Sequence, residues 1–226
     1  AIYIRGNSKN NSNNSQDIIY HVDNSDYSVS KWNDYSWTVT DDYGNNWEST
    51  LGTQNTSNLV VHENSNSYIT FRCDDQLYGQ GNKGAFLVSS PDHDGFVVNS
   101  SNFKLDLSQA EVVPLSADDT YLAVWRMIDP DNEVGGFENE DAYIRVFDSA
   151  GNFLTDEISL AGLGIDYDYE YETIMDVQTL SNGDAAIYMR ERSSKPENNN
   201  SQDIIYHVDS SDYSVSKLND YSWTVT

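Results

Sequence analysis

A 28-residue segment occurs twice in this chain. Residues 13–40 read NNSQDIIYHVDNSDYSVSKWNDYSWTVT and residues 199–226 read NNSQDIIYHVDSSDYSVSKLNDYSWTVT. Only two positions differ: Asn24 against Ser210, and Trp32 against Leu218. The offset is 186 residues, so the 226-residue chain holds little more than one period of a long repeat. Repeats of this length belong to arrays and propellers, in which each unit buries its apolar face against the next. The chain lacks an initiator Met and stops inside the repeated pattern, so the expectation is a window onto a longer array.

A finer period lies inside the long one. Four strand-like runs end in arginine: IYIR (Ile2–Arg5), ITFR (Ile69–Arg72), AVWR (Ala123–Arg126) and IYMR (Ile187–Arg190), spaced by 67, 54 and 64 residues. A second strand-like run follows each: DIIYHV, GAFLVSS, AYIRVFD and DIIYHV again. A turn and a third run come next, and NLVVHE, AEVVPLS and TIMDVQTL precede the last three arginine runs. These runs are short, alternating and rich in Tyr, Val, Ile, Trp and Thr, with Asp, Asn, Gly and Ser between them. No amphipathic helical stretch exceeds two turns. The chain therefore reads as all-β, in four-stranded antiparallel units of about 62 residues, with approximate bounds 1–50, 51–107, 108–162 and 163–226. Four-stranded units at this spacing are the signature of β-propeller blades. The first unit lacks its opening strand. A ring of four blades and an open segment of a larger ring both fit, and the segment is preferred.

Charge narrows the partners. Twelve Lys and Arg stand against 37 Asp and Glu, a formal net charge of −25. Phosphates would be repelled, so nucleic acid and anionic membranes are not expected partners. A solvated acidic surface and cation binding both fit. With one cysteine, Cys73 beside Arg72, no internal disulfide forms, and the thiol reads as a small buried hydrophobe or a reactive group. No apolar run approaches 18 residues. Asn-X-Ser/Thr sequons at Asn10, Asn13, Asn55, Asn99 and Asn199 are expected by chance in a chain this rich in Asn and Ser.

Residues Thr40–Trp47 read TDDYGNNW. The segment resembles the Asp-box of sialidase-like propellers through Thr40, Asp42, Gly44 and Trp47, with Asn46 where that family has Thr. The resemblance implies a structural hairpin away from any active site. Residues Tyr121–Leu160 resemble the repeats W-x-x-x-D…F-D-x-x-G-N of large secreted bacterial proteins, with Asp148, Gly151 and Asn152 at the hairpin turn. Both resemblances imply an exported, surface-attached, multidomain setting.

Candidate sites follow from the repeat. Equivalent positions in a propeller converge on one axis, so Arg5, Arg72, Arg126 and Arg190 are candidate ligand-binding residues. Guanidinium grips carboxylate bidentately, and sialidase-like propellers clamp acidic sugars this way. The competing reading pairs each arginine with an acidic residue of its own or the next unit. Asp129, Asp131 and Glu133, with Glu138 nearby, have the alternate spacing of a calcium loop, although Val134 stands where Gly is expected. Asp92 and Asp94 around His93 form a weaker one. The segment DYDYEYE (Asp166–Glu172) would put its carboxylates on one strand face and is expected to be a solvated, pairing-resistant edge.

The leading functional expectation is a structural or binding module of a large extracellular or cell-surface repeat protein, an adhesin or filament component. Its partners would be other copies of the repeat or surface glycans, and its cofactor calcium. The alternatives are a carbohydrate-binding propeller for acidic glycans and a sialidase-like glycoside hydrolase fragment.

Overall fold

The computed structural model describes residues 2–7, 15–22, 26, 28–35, 38–40, 46–48, 58–62, 67–74, 85–90, 93–100, 104–115, 119–134, 137–160, 163, 171–192 and 200–224. Strands β1 (Ile2–Asn7), β2 (Ser15–Val22) and β3 (Val29–Tyr35) form a three-stranded sheet. Strands β4 (Thr38–Thr40) and β5 (Asn46–Glu48) pair with each other, and β6 (Asn58–His62), β7 (Ser67–Asp74), β8 (Ala85–Ser90) and β9 (His93–Val97) form a four-stranded sheet. The remaining eight strands are hydrogen-bonded into one sheet, built from two four-stranded meanders. The first contains β10 (Lys104–Pro114), β11 (Thr120–Val134), β12 (Phe137–Asp148) and β13 (Ile158–Ser159). The second contains β14 (Tyr171–Thr179), β15 (Ala185–Arg192), β16 (Asn200–Val208) and β17 (Val215–Thr224). Pairing within each meander is antiparallel, and one parallel bridge, Glu140 opposite Tyr171, joins the two.

The fold is thus all-β with antiparallel sheets of four strands, and no α-helix occurs among the described residues. The described strands do not close into a barrel or ring.

The 28-residue repeat adopts one register twice. In the first copy Ile19 faces Asn33 and Tyr20 faces Lys31, which leaves Trp32 unopposed as a β-bulge. In the second, Ile205 faces Asn219 and Tyr206 faces Lys217, which leaves Leu218 unopposed. The bulge residue is one of the two positions that differ between the copies. A residue outside the ladder has no cross-strand partner to match, and Leu218 is 58% exposed. Leu218 therefore faces solvent at this bulge position.

Strand β11 carries the core because both its faces are covered. Residues Tyr121 to Trp125 are all buried. Alternation sends Tyr121, Ala123, Trp125 and Met127 into one cluster with Ile69, Phe71, Val88 and Phe96. Leu122 and Val124 enter the other, with Ile144, Ile187, Met189, Ile204 and Tyr206. A central strand covered on two sides reads as a continuous apolar run, and YLAVW is one. With the arginine runs aligned, Ile187 and Met189 correspond to Ala123 and Trp125, yet they meet the opposite side of β11, as in a front-to-back stack. Ile69 and Phe71 occupy the same aligned positions and share a cluster with Ala123 and Trp125 themselves. Like sides meet there, so the two steps of the stack are not equivalent.

Two turns show why their sequences recur. Gly151 has φ 86° and donates its N–H to the Asp148 carbonyl at 3.0 Å. Asn152 donates its backbone N–H and its side-chain Nδ2 to the two Asp148 carboxylate oxygens, each at 2.8 Å. The D-x-x-G-N segment is therefore a hairpin turn, as expected. Gly183 (φ 87°) donates to the Leu180 carbonyl at 2.8 Å and closes the β14–β15 hairpin. Left-handed φ carries no steric cost at Gly.

Candidate functional site

The four aligned arginines all lie on strands that follow the expected pattern. Arg5 stands opposite Asp17 and Arg72 opposite Leu87. Their side chains lie outside the described residues, as does that of Cys73. Arg190, opposite Asp203, has its side chain 42% exposed; its Nε donates to Asp203 Oδ1 at 2.9 Å and its Nη2 to the Tyr188 hydroxyl at 3.2 Å. Tyr188 in turn donates to Asp203 Oδ2 at 2.6 Å. The pair holds the Arg190 guanidinium protonated still more firmly, chiefly through the Asp203 hydrogen bond. Arg126 is half-buried and donates to the Glu172 carbonyl at 3.1 Å. Arg190 thus pairs with an acidic side chain, while Arg126 donates to a backbone carbonyl.

The expected calcium loop is occupied by β-structure. Strand β11 runs through Asp129 and Glu133 to Val134, and β12 begins at Phe137. Asp129 faces Asn139 and Glu133 faces Glu138, with a register shift between Asp129 and Glu133. These residues thus belong to a bulged hairpin, and Asp131 lies in the bulged stretch. The side chains of Asp129, Asp131, Glu133 and Glu138 lie outside the described residues. His93 and Asp94 belong to β9, with His93 facing Ser90, while Asp92 is outside the described residues. Among the described residues no group of three or more His, Cys, Asp or Glu is placed to hold a metal ion. In the Asp-box segment, Thr40 faces Asn46 and Val39 faces Trp47, which makes a hairpin; Asp42 and Gly44 lie outside the described residues.

The structure brings together two constellations that the sequence reading did not single out. The first is a carboxylate in the turn before the second strand of a meander, bonded to a serine after the third. Asp184 Oδ1 accepts from the backbone N–H and hydroxyl of Ser210, both at 2.8 Å. Its Oδ2 accepts from His207 Nε2 at 2.8 Å and from Asn182 Nδ2 at 2.5 Å. The Ser210 bonds, with help from His207 and Asn182, lower Asp184 to about 2. In the preceding meander the Ser149 hydroxyl donates to Asp119 Oδ2. The signal was present: Asp148-Ser149 and Asp209-Ser210 both close a third strand. Although Asp, His and Ser are assembled, the order is wrong for nucleophilic catalysis. Ser210 donates to the carboxylate, and the His207 nitrogen nearest the network donates there too. A nucleophile relay needs the imidazole between serine and carboxylate.

The second constellation lies at the seam between the last two meanders. Glu172 and Glu191 stand directly opposite each other on β14 and β15, where side chains are about 5 Å apart at Cβ. They are 3% and 0% exposed. Glu172 Oε2 accepts the Ala142 N–H of β12 at 2.6 Å. Neither carboxylate oxygen of Glu191, nor the buried Tyr206 hydroxyl, has a hydrogen-bond partner. Burial raises Glu172 to about 8, with repulsion from Asp141 and Glu191 added; the Ala142 bond and Arg126 oppose the shift. Burial likewise raises Glu191 to about 7, against the pull of Lys217. Charged forms are disfavoured where water is excluded. Glu172 closes the DYDYEYE segment, so the expectation of a solvated edge fails at this residue. Pairing with β15 and contact with β12 bury it. Asp166–Glu170 lie outside the described residues.

Other buried polar residues among those described include His62, whose Nε2 lies 2.6 Å from the Leu115 carbonyl, and Arg145. Arg145 donates to the Val98 carbonyl at 2.6 Å and lies 4.2 Å from the centre of the Phe153 ring. Asn99 is also buried, which closes that sequon to glycosylation. No protein-family model, curated protein or solved structure matches the chain.

Proposed function

We propose that the chain is a structural or binding module of a large extracellular or cell-surface repeat protein, of the adhesin or filament type. Its four-stranded units would stack as a propeller or a segment of one. The observation that carries this reading is the repeat itself. Two copies keep one strand register and one bulge, and a position that differs between them is the bulge residue, exposed as Leu218 in the second copy. An array tolerates duplication of a unit, because each unit contacts only its neighbours. An asymmetric active site does not. The arginines Arg126 and Arg190 are engaged by Glu172 and Asp203, an arrangement suited to joining strands rather than clamping a sugar acid. Other copies of the repeat are the partners this reading favours, with surface glycans second and calcium the candidate ion.

The test is sedimentation velocity at rising concentration, alongside a glycan-array screen, each with calcium and with chelator. Concentration-dependent association without glycan binding is the expected result. Binding to acidic glycans that Arg190→Ala abolishes would replace this reading with the carbohydrate-binding one.

A further inference from the structure

We propose that Glu172 and Glu191 form a proton-dependent latch between the last two meanders, closed while the pair retains a proton and loosened when both carboxyls ionise.

The geometry places the pair at the weakest joint of the sheet. One backbone bridge, Glu140 to Tyr171, connects β12 with β14. The Glu172 side chain reinforces that joint by accepting the Ala142 N–H of β12, and Arg126 of β11 donates to the Glu172 carbonyl. Two hydrogen bonds across the joint therefore meet at Glu172, and a third runs from the Thr179 hydroxyl of β14 to the Pro114 carbonyl of β10 at 2.6 Å. Opposite it, Glu191 is fully buried with both oxygens unpartnered. A buried carboxylate with no donor is costly, whereas a neutral carboxyl is tolerated. Two carboxyls in adjacent positions cannot both ionise cheaply.

The surroundings do not supply the missing charge. From β11 the pair meets Arg126, from β12 Asp141 and Tyr143, from β16 Tyr206 and from β17 Lys217. Two cations thus face three carboxylates and two phenols, and burial raises both tyrosine hydroxyls, so neither gives up a proton in this range. The pair therefore sits among apolar contacts and a few hydrogen bonds, with too few cations to neutralise both carboxyls.

The sign of the pH dependence follows. Folded-state values near 8 and 7 lie above the ordinary glutamate value of 4.5, so the folded chain binds more protons than the unfolded chain between about pH 4.5 and 8. Stability falls as pH rises through that window.

The experiment is thermal unfolding of the full chain from pH 5 to 9 in chelator, with hydrogen exchange read at the Ala142 amide. The wild-type midpoint should fall by roughly 5 °C or more between pH 6 and 9. Protection at Ala142, corrected for the intrinsic rate, should drop at least ~10-fold relative to β7 and β8 as the joint opens locally. Glu191→Gln cannot ionise and should clearly reduce both changes, leaving only the part that Glu172 contributes alone. A wild-type midpoint that holds or rises over this range overturns the latch. So does an equal fall in Glu191→Gln. Suppression of the fall by millimolar calcium also overturns it, because the pair would then be a cation site. If Glu191→Gln fails to fold, Glu172→Gln and the wild-type exchange at Ala142 decide the matter.

Discussion

The two seams flanking β11 are built from the same kind of strand yet end differently. On one side Trp125, Tyr121 and Ala123 meet Ile69, Phe71 and Val88, and aromatic rings complete the contact. Tyr121 stacks on Phe147 at 5.9 Å, and Phe96 meets Phe147 edge-on at 5.5 Å. On the other side Leu122 and Val124 meet Ile187, Met189 and Ile204, but the same strand faces continue into Glu172 and Glu191. In β15 the alternation Ile187, Met189, Glu191 carries the buried stripe from hydrocarbon into a carboxyl. The difference teaches that the first seam joins apolar burial to satisfied polar contacts, such as His62 to the Leu115 carbonyl and Arg145 to the Val98 carbonyl, whereas the second buries a carboxyl, Glu191, that lacks donors.

Substitutions can break this contrast. Trp125→Ala should have the largest effect, about 3–5 kcal/mol in denaturant unfolding, because a large side chain is removed from a packed interior. That loss should be nearly independent of pH. A loss that grows between pH 6 and 9 would show the two seams to be coupled. Ile187→Ala, on the other seam, should cost about 2–5 kcal/mol and make the joint more pH-sensitive.

The Asp184 network gives the opposite pH sign, which sharpens the comparison. Its folded value is lowered to about 2 from 3.8. Its contribution is present above about pH 4 and is lost as pH falls toward 2. Ser210→Ala removes the hydroxyl donor and should shrink that acid-side loss, read as a smaller fall in midpoint between pH 4 and 2. An unchanged acid limb would refute the assignment. Stability should therefore pass through a maximum on the acid side of neutrality, bounded below by Asp184 and above by the glutamate pair.

Leu218→Trp should do least. It copies the first repeat into the second at an exposed bulge position, so a change within about 0.5 kcal/mol is expected. A larger effect would mean that the bulge residue has a buried partner in solution.

Much of the fold was legible because strand alternation and turn residues are local signals. The arginine runs, the D-x-x-G-N turn and the shared register of DIIYHV with its partner strand all appear where alternation put them. The strand through Asp129–Val134 was not legible. Its acidic, Pro-containing sequence lacks strand alternation, and pairing with β12 brings it into the ladder. Glu172 was misjudged for a related reason. Alternation says which residues share a face, but not whether another sheet covers that face. Tyr206 and Glu191 drew no attention, because each sits in an ordinary strand pattern.

By itself, the sequence determined an all-β chain of repeated four-stranded units with a strongly acidic composition and a nearly exact 28-residue repeat. These properties are short-range: period-two alternation, turn chemistry and composition act over a few residues. Only the tertiary structure decided which faces of β11 meet which neighbours, that Arg126 and Arg190 are engaged within the chain, and that two glutamates oppose each other in a dry seam. Those outcomes depend on strands brought together across long separations, where burial rather than residue type sets the cost of a charge.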